Sequence, residues 1–258
     1  MNKPLLLSAA SFLVGAILSL GQTAPADMQL FLLIGQSNMA GRGVVEPQDQ
    51  VTNPHIFMLT QYYEWLLAKD PVHFDRPALI GVGLCSEFAR TLVKDDPKIT
   101  VGLIPCAVGG TSLGEWKPGG ELYTNAIVRA REAMKNGNLV GILWHQGESD
   151  IPGNPETYNE RFAAMIQQLR SDLHAENVPV IVGELGHYLT QPNAAKLRTV
   201  LSELPKSLPI CGFVSSEGLT PKVDNLHFDA PSLRTFGARY AAVWIEMTHK
   251  ATRPLVGR

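Results

Sequence analysis

The sequence predicts one three-layer α/β/α domain built on a central parallel sheet of about five strands. Three observations carry that expectation. Apolar runs of strand length recur along the chain, with helix-patterned segments between them. Several of these runs end abruptly in turns of glycine, serine and amide residues. The sharpest case comes first: the apolar residues 28–34 break into Gly35-Gln36-Ser37-Asn38, with Gly41 and Gly43 just behind. A strand that is apolar at consecutive positions is buried on both faces, as in a parallel sheet with right-handed crossovers and helices on each side.

Residues 43–78 read as irregular, because Pro47, Pro54, Pro71 and Pro77 interrupt them. A segment of that length is functional or carries short elements of its own. Its aromatics Tyr62, Tyr63 and Trp65 have two readings, packing against the sheet or lining a sugar site. Leu84, Phe88, Thr91 and Leu92 recur at helical spacing and predict a helix over 83–94, stopped by Asp95-Asp96-Pro97. A second strand at 99–105 runs into Ala107-Val108-Gly109-Gly110-Thr111-Ser112. Ala126, Ile127, Ala130 and Met134 mark a helix ending near Asn136-Gly137, where a left-handed glycine cap is expected. The third strand, 139–144, opens directly into His145-Gln146-Gly147-Glu148-Ser149-Asp150.

Asn154-Pro155-Glu156 is a helix start: an N-cap residue, a proline at the first position, then an acid. Tyr158, Phe162, Ile166, Leu169 and Leu173 line one face of the helix that follows. Strands at 178–182 and 210–215 flank a less strongly patterned helix at 194–204. The last helix, 231–248, turns Leu233, Phe236, Tyr240, Val243 and Met247 inward.

Composition bounds the function. The 258 residues are 45% hydrophobic and 18% charged, with a formal net charge of -2. That is a globular protein without the basic surface that nucleic acid or an anionic membrane demands. Lys3 precedes an uncharged apolar stretch and then the small, polar residues 21–27, the layout of a secretory leader. The expected division is a signal peptide over 1–24, with cleavage near 21–26, and a single domain over 27–250. Retention of the leader as an anchor is the competing reading. The expected location is secreted or periplasmic, with no membrane association of the mature protein unless the leader is kept. Cys85, Cys106 and Cys211 form no CxxC pattern, and buried thiols are the default.

Three polar turns follow three strands, so Ser37, the Gly109-Gly110 pair and Gln146 converge on one edge of a parallel sheet. Near the end of the chain, Asp224 precedes His227 by three positions. That spacing lets the carboxylate take the imidazole Nδ1–H and leaves Nε2 for the serine proton. A serine hydroxyl needs such a base to become a nucleophile. Backbone N–H groups at Ser37 and Gly110, with the Gln146 amide, would complete an oxyanion hole. His145 and His187 also follow strands and are alternative bases. The G-x-S-x-G elbow of α/β-hydrolases is absent, since Met39 stands where its second glycine would be.

The blocks GQSNMAGRG, PCAVGGTSLGEW, WHQGESD and DNLHFD, in this order, resemble the sialic acid-specific acetylesterase-like branch of the SGNH hydrolases. That branch includes acetyl xylan esterases of carbohydrate esterase family six. The resemblance implies the flavodoxin-like SGNH fold, Ser37 as nucleophile, His227 as base, Asp224 as its partner and Gly110 in the oxyanion hole. SGNH enzymes at large carry asparagine in the third block, where this chain offers Gln146. Gln36, Asn38, Trp116 and Glu148 are candidate substrate-binding or supporting residues. Glu148 either bonds within the site or braces the Gln146 turn, and Trp116 either stacks on a sugar or packs in the core. The implied activity is O-acetyl removal from a carbohydrate, such as acetylated xylan or O-acetyl sialic acid, without metal or organic cofactor. A lipase-like or general short-chain esterase and a non-catalytic glycan-binding domain are the alternatives.

Overall fold

A computed structural model of the chain describes residues 25–252. The expected leader, 1–24, lies outside the described residues. Seven strands form one sheet: β1 (Met28–Gly35), β2 (Ile56–Leu59), β3 (Trp65–Leu67), β4 (Val101–Pro105), β5 (Gly137–His145), β6 (Val180–Gly183) and β7 (Cys211–Val214). Their order is β3-β2-β4-β1-β5-β6-β7. The five expected strands are β1, β4, β5, β6 and β7. Numbered among themselves they run 2-1-3-4-5, the flavodoxin-like doubly wound order.

Two corrections follow. The sheet has seven strands rather than about five, and it is mixed, because β3 runs antiparallel to β2. Both extra strands come from the segment read as irregular. They span four and three residues, too short to develop a periodic pattern between the prolines. Gly137 also departs from expectation: it follows the 3-10 turn Met134–Asn136 and opens β5, but at φ 171° it is extended rather than left-handed. A Cβ there would lie 2.1 Å from the Met28 carbonyl oxygen, so close strand approach selects the glycine.

Among the described residues six α-helices accompany the sheet: α1 (Ser37–Ala40), α2 (Cys85–Asp95), α3 (Glu121–Ala133), α4 (Tyr158–Asp172), α5 (Ala194–Ser207) and α6 (Ala230–Thr252). Asn154 accepts a hydrogen bond from the Glu156 N–H at 3.0 Å, and a 3-10 turn at Pro155–Thr157 leads into α4. β1 explains its own composition. Leu30, Leu32 and Ile34 face the core under α3, α4 and α5, while Phe31 and Leu33 face the core under α2 and α6. The Phe31 ring sits edge-on to Phe88 and Trp244, with centroids 4.8 and 5.2 Å away. Truncating a ring buried in this way costs about 3–5 kcal/mol. Cys85, Cys106 and Cys211 are free and buried, filling space as small apolar side chains.

The register brings the strand ends together: Gly35 pairs with His145, and Leu33 with Pro105. At Gly35 the chain takes φ +130°, and a Cβ would lie 2.2 Å from the His145 carbonyl oxygen. Only glycine makes this exit from the sheet. The next turn of backbone, α1, therefore starts at the switch point between β1 and its neighbours, where ligands bind in such folds.

Candidate active site

Ser37 opens α1, immediately outside β1. Its Oγ lies 3.0 Å from Nε2 of His227, and Nδ1 of His227 lies 2.8 Å from Oδ2 of Asp224. Oδ1 of Asp224 accepts the N–H groups of Leu226 and His227, both at 2.9 Å. This short turn, with Asn225 left-handed at φ 50°, fixes carboxylate and imidazole on one loop. Burial pushes the Asp224 carboxyl up, but the His227 and Leu226 hydrogen bonds and the His227 imidazole outweigh it and hold it at about 2. The carboxylate therefore stays charged throughout the physiological range.

The loop is tied to the segment that carries Ser37 through Asn38. The Asn38 amide oxygen accepts the Phe228 N–H at 3.1 Å, and its Nδ2 donates to Glu148 Oε1 at 2.5 Å and to the Leu226 carbonyl at 3.4 Å. These contacts flank His227 on both sides. Glu148 is buried, with His145 Nε2 at 3.4 Å from Oε1. Burial raises its carboxyl, yet His145 and Asn38 bring it below the ordinary glutamate range, so it is ionised. Glu148 thus braces Asn38, and through it the base loop, as well as lining the cleft.

The Gly109-Gly110 turn covers the other side of Ser37. A Cβ on Gly109 would lie 3.4 Å from the Ser37 Cβ, and Gly110 takes φ +83°, a left-handed position that favours glycine. Among the described residues no backbone acceptor takes the Ser37 or Gly110 N–H.

Gln146 is placed elsewhere. Its Nε2 donates to Thr111 O at 2.9 Å and Asp150 Oδ2 at 2.6 Å and approaches Gln36 Oε1 at 3.2 Å, while its Oε1 accepts from Tyr158 Oη at 2.9 Å. An amide nitrogen has two hydrogens, and both are used. Gln146 is fully buried and holds the second and third turns together, so the expected amide donor is absent from this geometry. Gln36 is the partner of that lock and also takes the Ser149 N–H at 3.4 Å. Trp116 does not reach a substrate: it is fully buried, edge-on to Trp144 at 5.6 Å, and donates to Thr111 Oγ1 at 3.1 Å. A tryptophan between two glycine turns carries no signal that separates core from surface. His145 is sealed in the core, and His187 pairs with Glu184 at 3.1 Å; among the described residues the histidine hydrogen-bonded to Ser37 is His227.

Ser37, His227, Gln36, Gly109, Gly110 and Glu148 line a cleft of about 320 Å³, with Arg42, Arg76, Leu79, Ser149 and Leu226. Arg42 stands in the first block without being singled out by it, and Arg76 comes from the segment read as irregular. A larger, shallower hollow of about 580 Å³ beside β7 and α6 has no histidine among its lining residues, and the chemistry decides against it. Among the described residues no group of histidine, cysteine and carboxylate side chains is arranged to hold a metal ion, and no helix is long and apolar enough to cross a membrane.

The profile of a family described as carbohydrate esterase, sialic acid-specific acetylesterase, matches residues 27–246. The chain belongs to that family. A probable carbohydrate esterase from Arabidopsis thaliana is 32% identical over 241 residues, covering 84% of this chain and 90% of the relative. The crystal structure of that Arabidopsis protein superposes with a TM-score of 0.79 at 30% identity, over 85% of this chain and 98% of its own. A carbohydrate acetylesterase from Xanthomonas citri shares the fold, with a TM-score of 0.65 at 20% identity over 87% of this chain and 57% of that one. Family membership makes the protein a carboxylic ester hydrolase of the carbohydrate esterase type, as the SGNH resemblance implied.

Proposed function

We propose that this carbohydrate esterase removes O-acetyl groups from a glycan through an acetyl-serine intermediate, with Ser37, His227 and Asp224 as its catalytic residues. One observation carries the reading: the continuous hydrogen-bonded chain from the Ser37 hydroxyl through the imidazole to the Asp224 carboxylate, at 3.0 and 2.8 Å. His227 Nε2 takes the serine proton as Oγ attacks the acetyl carbonyl, and Asp224 stabilises the imidazolium. The Ser37 and Gly110 N–H groups receive the charge that develops on the carbonyl oxygen. His227 then gives its proton to the departing sugar oxygen. Water, deprotonated by the same imidazole, attacks the acetyl-serine, releases acetate and restores the hydroxyl.

The substrate class is an acetylated xylan or related glycan, O-acetyl sialic acid included, met outside the cytoplasm after export. The small cleft supports a short acyl group. A second reading, a general short-chain or lipase-like esterase, draws support from Leu79 and Leu226, aliphatic residues on a rim that presents no aromatic ring for a sugar to stack on. The complete triad counts against a binding module that lacks turnover.

Acetate release from acetylated xylo-oligosaccharides by wild type and Ser37→Ala tests the proposal. Release that disappears in the variant supports it. Failure on the oligosaccharide with Ser37-dependent cleavage of aryl acetates removes the xylan assignment and keeps the mechanism. Comparable rates on acetyl and butyryl esters favour the second reading.

A further inference from the structure

The segment between β3 and α2, irregular by its sequence, delivers two adjacent charged residues, Asp75 and Arg76, onto successive peptides of the Gly109-Gly110 turn. Oδ2 of Asp75 accepts the Gly109 N–H at 2.8 Å. Nη2 of Arg76 donates to the Gly109 carbonyl at 3.0 Å. That carbonyl and the Gly110 N–H belong to the same planar peptide unit. The turn is thus gripped at successive peptides, and the Gly110 N–H is left pointing free.

Asp75 is itself anchored. Arg42 donates to it from Nη2 at 2.7 Å and to the Gly41 carbonyl from Nη1 at 2.8 Å, which ties the grip to the backbone just after α1. The Arg42 and Asp75 side chains are 5% and 1% exposed, so this part is a buried structural ion pair. Arg76 differs. It is exposed, and no carboxylate forms an ion pair with it among the described residues. Its positive charge rests on the Gly109 oxygen.

We infer that Arg76 is a positioning residue for the transition state, acting through the Gly109-Gly110 peptide. A cation on the carbonyl end draws electron density out of the amide and makes the Gly110 N–H a stronger donor to the oxyanion. The donor matters most when the acetyl oxygen carries full negative charge, so the gain falls on the tetrahedral species rather than on the bound ester. This inference rests on the esterase reading above and on Gly110 as a donor.

The test compares wild type with Arg76→Met and Arg76→Lys. It measures kcat and KM on an aryl acetate and on acetylated neutral and acidic sugars, the binding of methylboronic acid, the binding of a neutral acetamide analogue, and the melting temperature. Loss of a whole oxyanion donor costs about 10²–10³ in rate, and loss of its polarising partner should cost about tenfold. Arg76→Met is expected to lower kcat by that amount and weaken the boronate, which forms a tetrahedral anion on the serine, in parallel. KM, acetamide binding and melting temperature should stay near wild type, and Arg76→Lys should recover most of the loss. An unchanged kcat, equal weakening of both ligands, or a KM rise confined to acidic sugars overturns the assignment. A wild type that cleaves no acetyl ester overturns the esterase reading and this inference together, whereas an active wild type matched by Arg76→Met overturns this inference alone.

Discussion

Asn38 and Glu148, 110 positions apart, share a hydrogen bond of 2.5 Å beside Ser37, and the same asparagine accepts the Phe228 N–H next to His227. Ser37 and His227 therefore arrive on separate segments that are locked through one amide and one buried carboxylate. Removing Glu148 leaves the buried Asn38 amide without its best acceptor. A buried polar group left unpaired costs about 1–3 kcal/mol. A displaced base loop also costs rate, about 10²-fold for a shift on the order of 1 Å. Glu148→Ala should show both losses in thermal melts and in kcat. Glu148→Gln, which keeps an acceptor for Asn38, should lose much less stability.

Asp224 is the more exposed member of its pair: its side chain is 38% accessible, against 18% for His227. Where a triad carboxylate is fully buried, the amide substitution costs about 10⁴ in rate, because the imidazole is held in the wrong tautomer. Water can partly replace the carboxylate here. Asp224→Asn should therefore lower kcat on an aryl acetate by about 10²–10³, short of the loss in a buried triad. A variant within about tenfold of wild type would remove Asp224 from the catalytic set.

The sequence spoke most clearly where local chemistry alone dictates structure. β1 could be read because it packs on both faces, and the Gly35 exit because no other residue passes the His145 carbonyl. The spacing of Asp224 and His227 foretold a turn that joins carboxylate and imidazole. What escaped was decided by distant partners. Gln146 looks like a free amide until Asp150, Thr111 and Tyr158 converge on it. Trp116 could stack on a sugar or pack in the core, and only Trp144, on β5, decides for the core. Asp75 and Arg76 had no periodicity to report, and only folding brings them to Gly109.

Stability should carry an acid-side signature unrelated to the triad. Asp70 is buried, with Oδ1 accepting the Gly83 N–H at 3.2 Å and Oδ2 lacking a partner. Burial, joined by the neighbouring Asp49, raises its carboxyl to about 6. A carboxyl raised on folding binds its proton more tightly in the native state, so stability falls as pH rises from about 4 to about 6. Near neutral pH the penalty is up to about 3 kcal/mol. Asp70→Asn keeps an acceptor for Gly83 and cannot ionise. It should raise the melting temperature at pH 8 while leaving it nearly unchanged at pH 4. Equal shifts at both values would mean that the gain is not electrostatic.

Gln146 offers the sharpest contrast between a donor to the reaction and a brace for the turns. As an oxyanion donor, its loss would cost about 10²–10³ in kcat with little effect on folding. As the buried lock seen between Thr111, Asp150 and Tyr158, its loss strands those groups instead. Each buried polar group left unpaired costs about 1–3 kcal/mol. Gln146→Ala is therefore expected to melt several degrees earlier while kcat at a temperature well below melting falls by about tenfold or less. Denaturation midpoints and initial rates on the same preparation separate the two. A stable variant with a thousandfold slower turnover would return Gln146 to the oxyanion hole and would require its amide to rotate out of the lock when substrate binds.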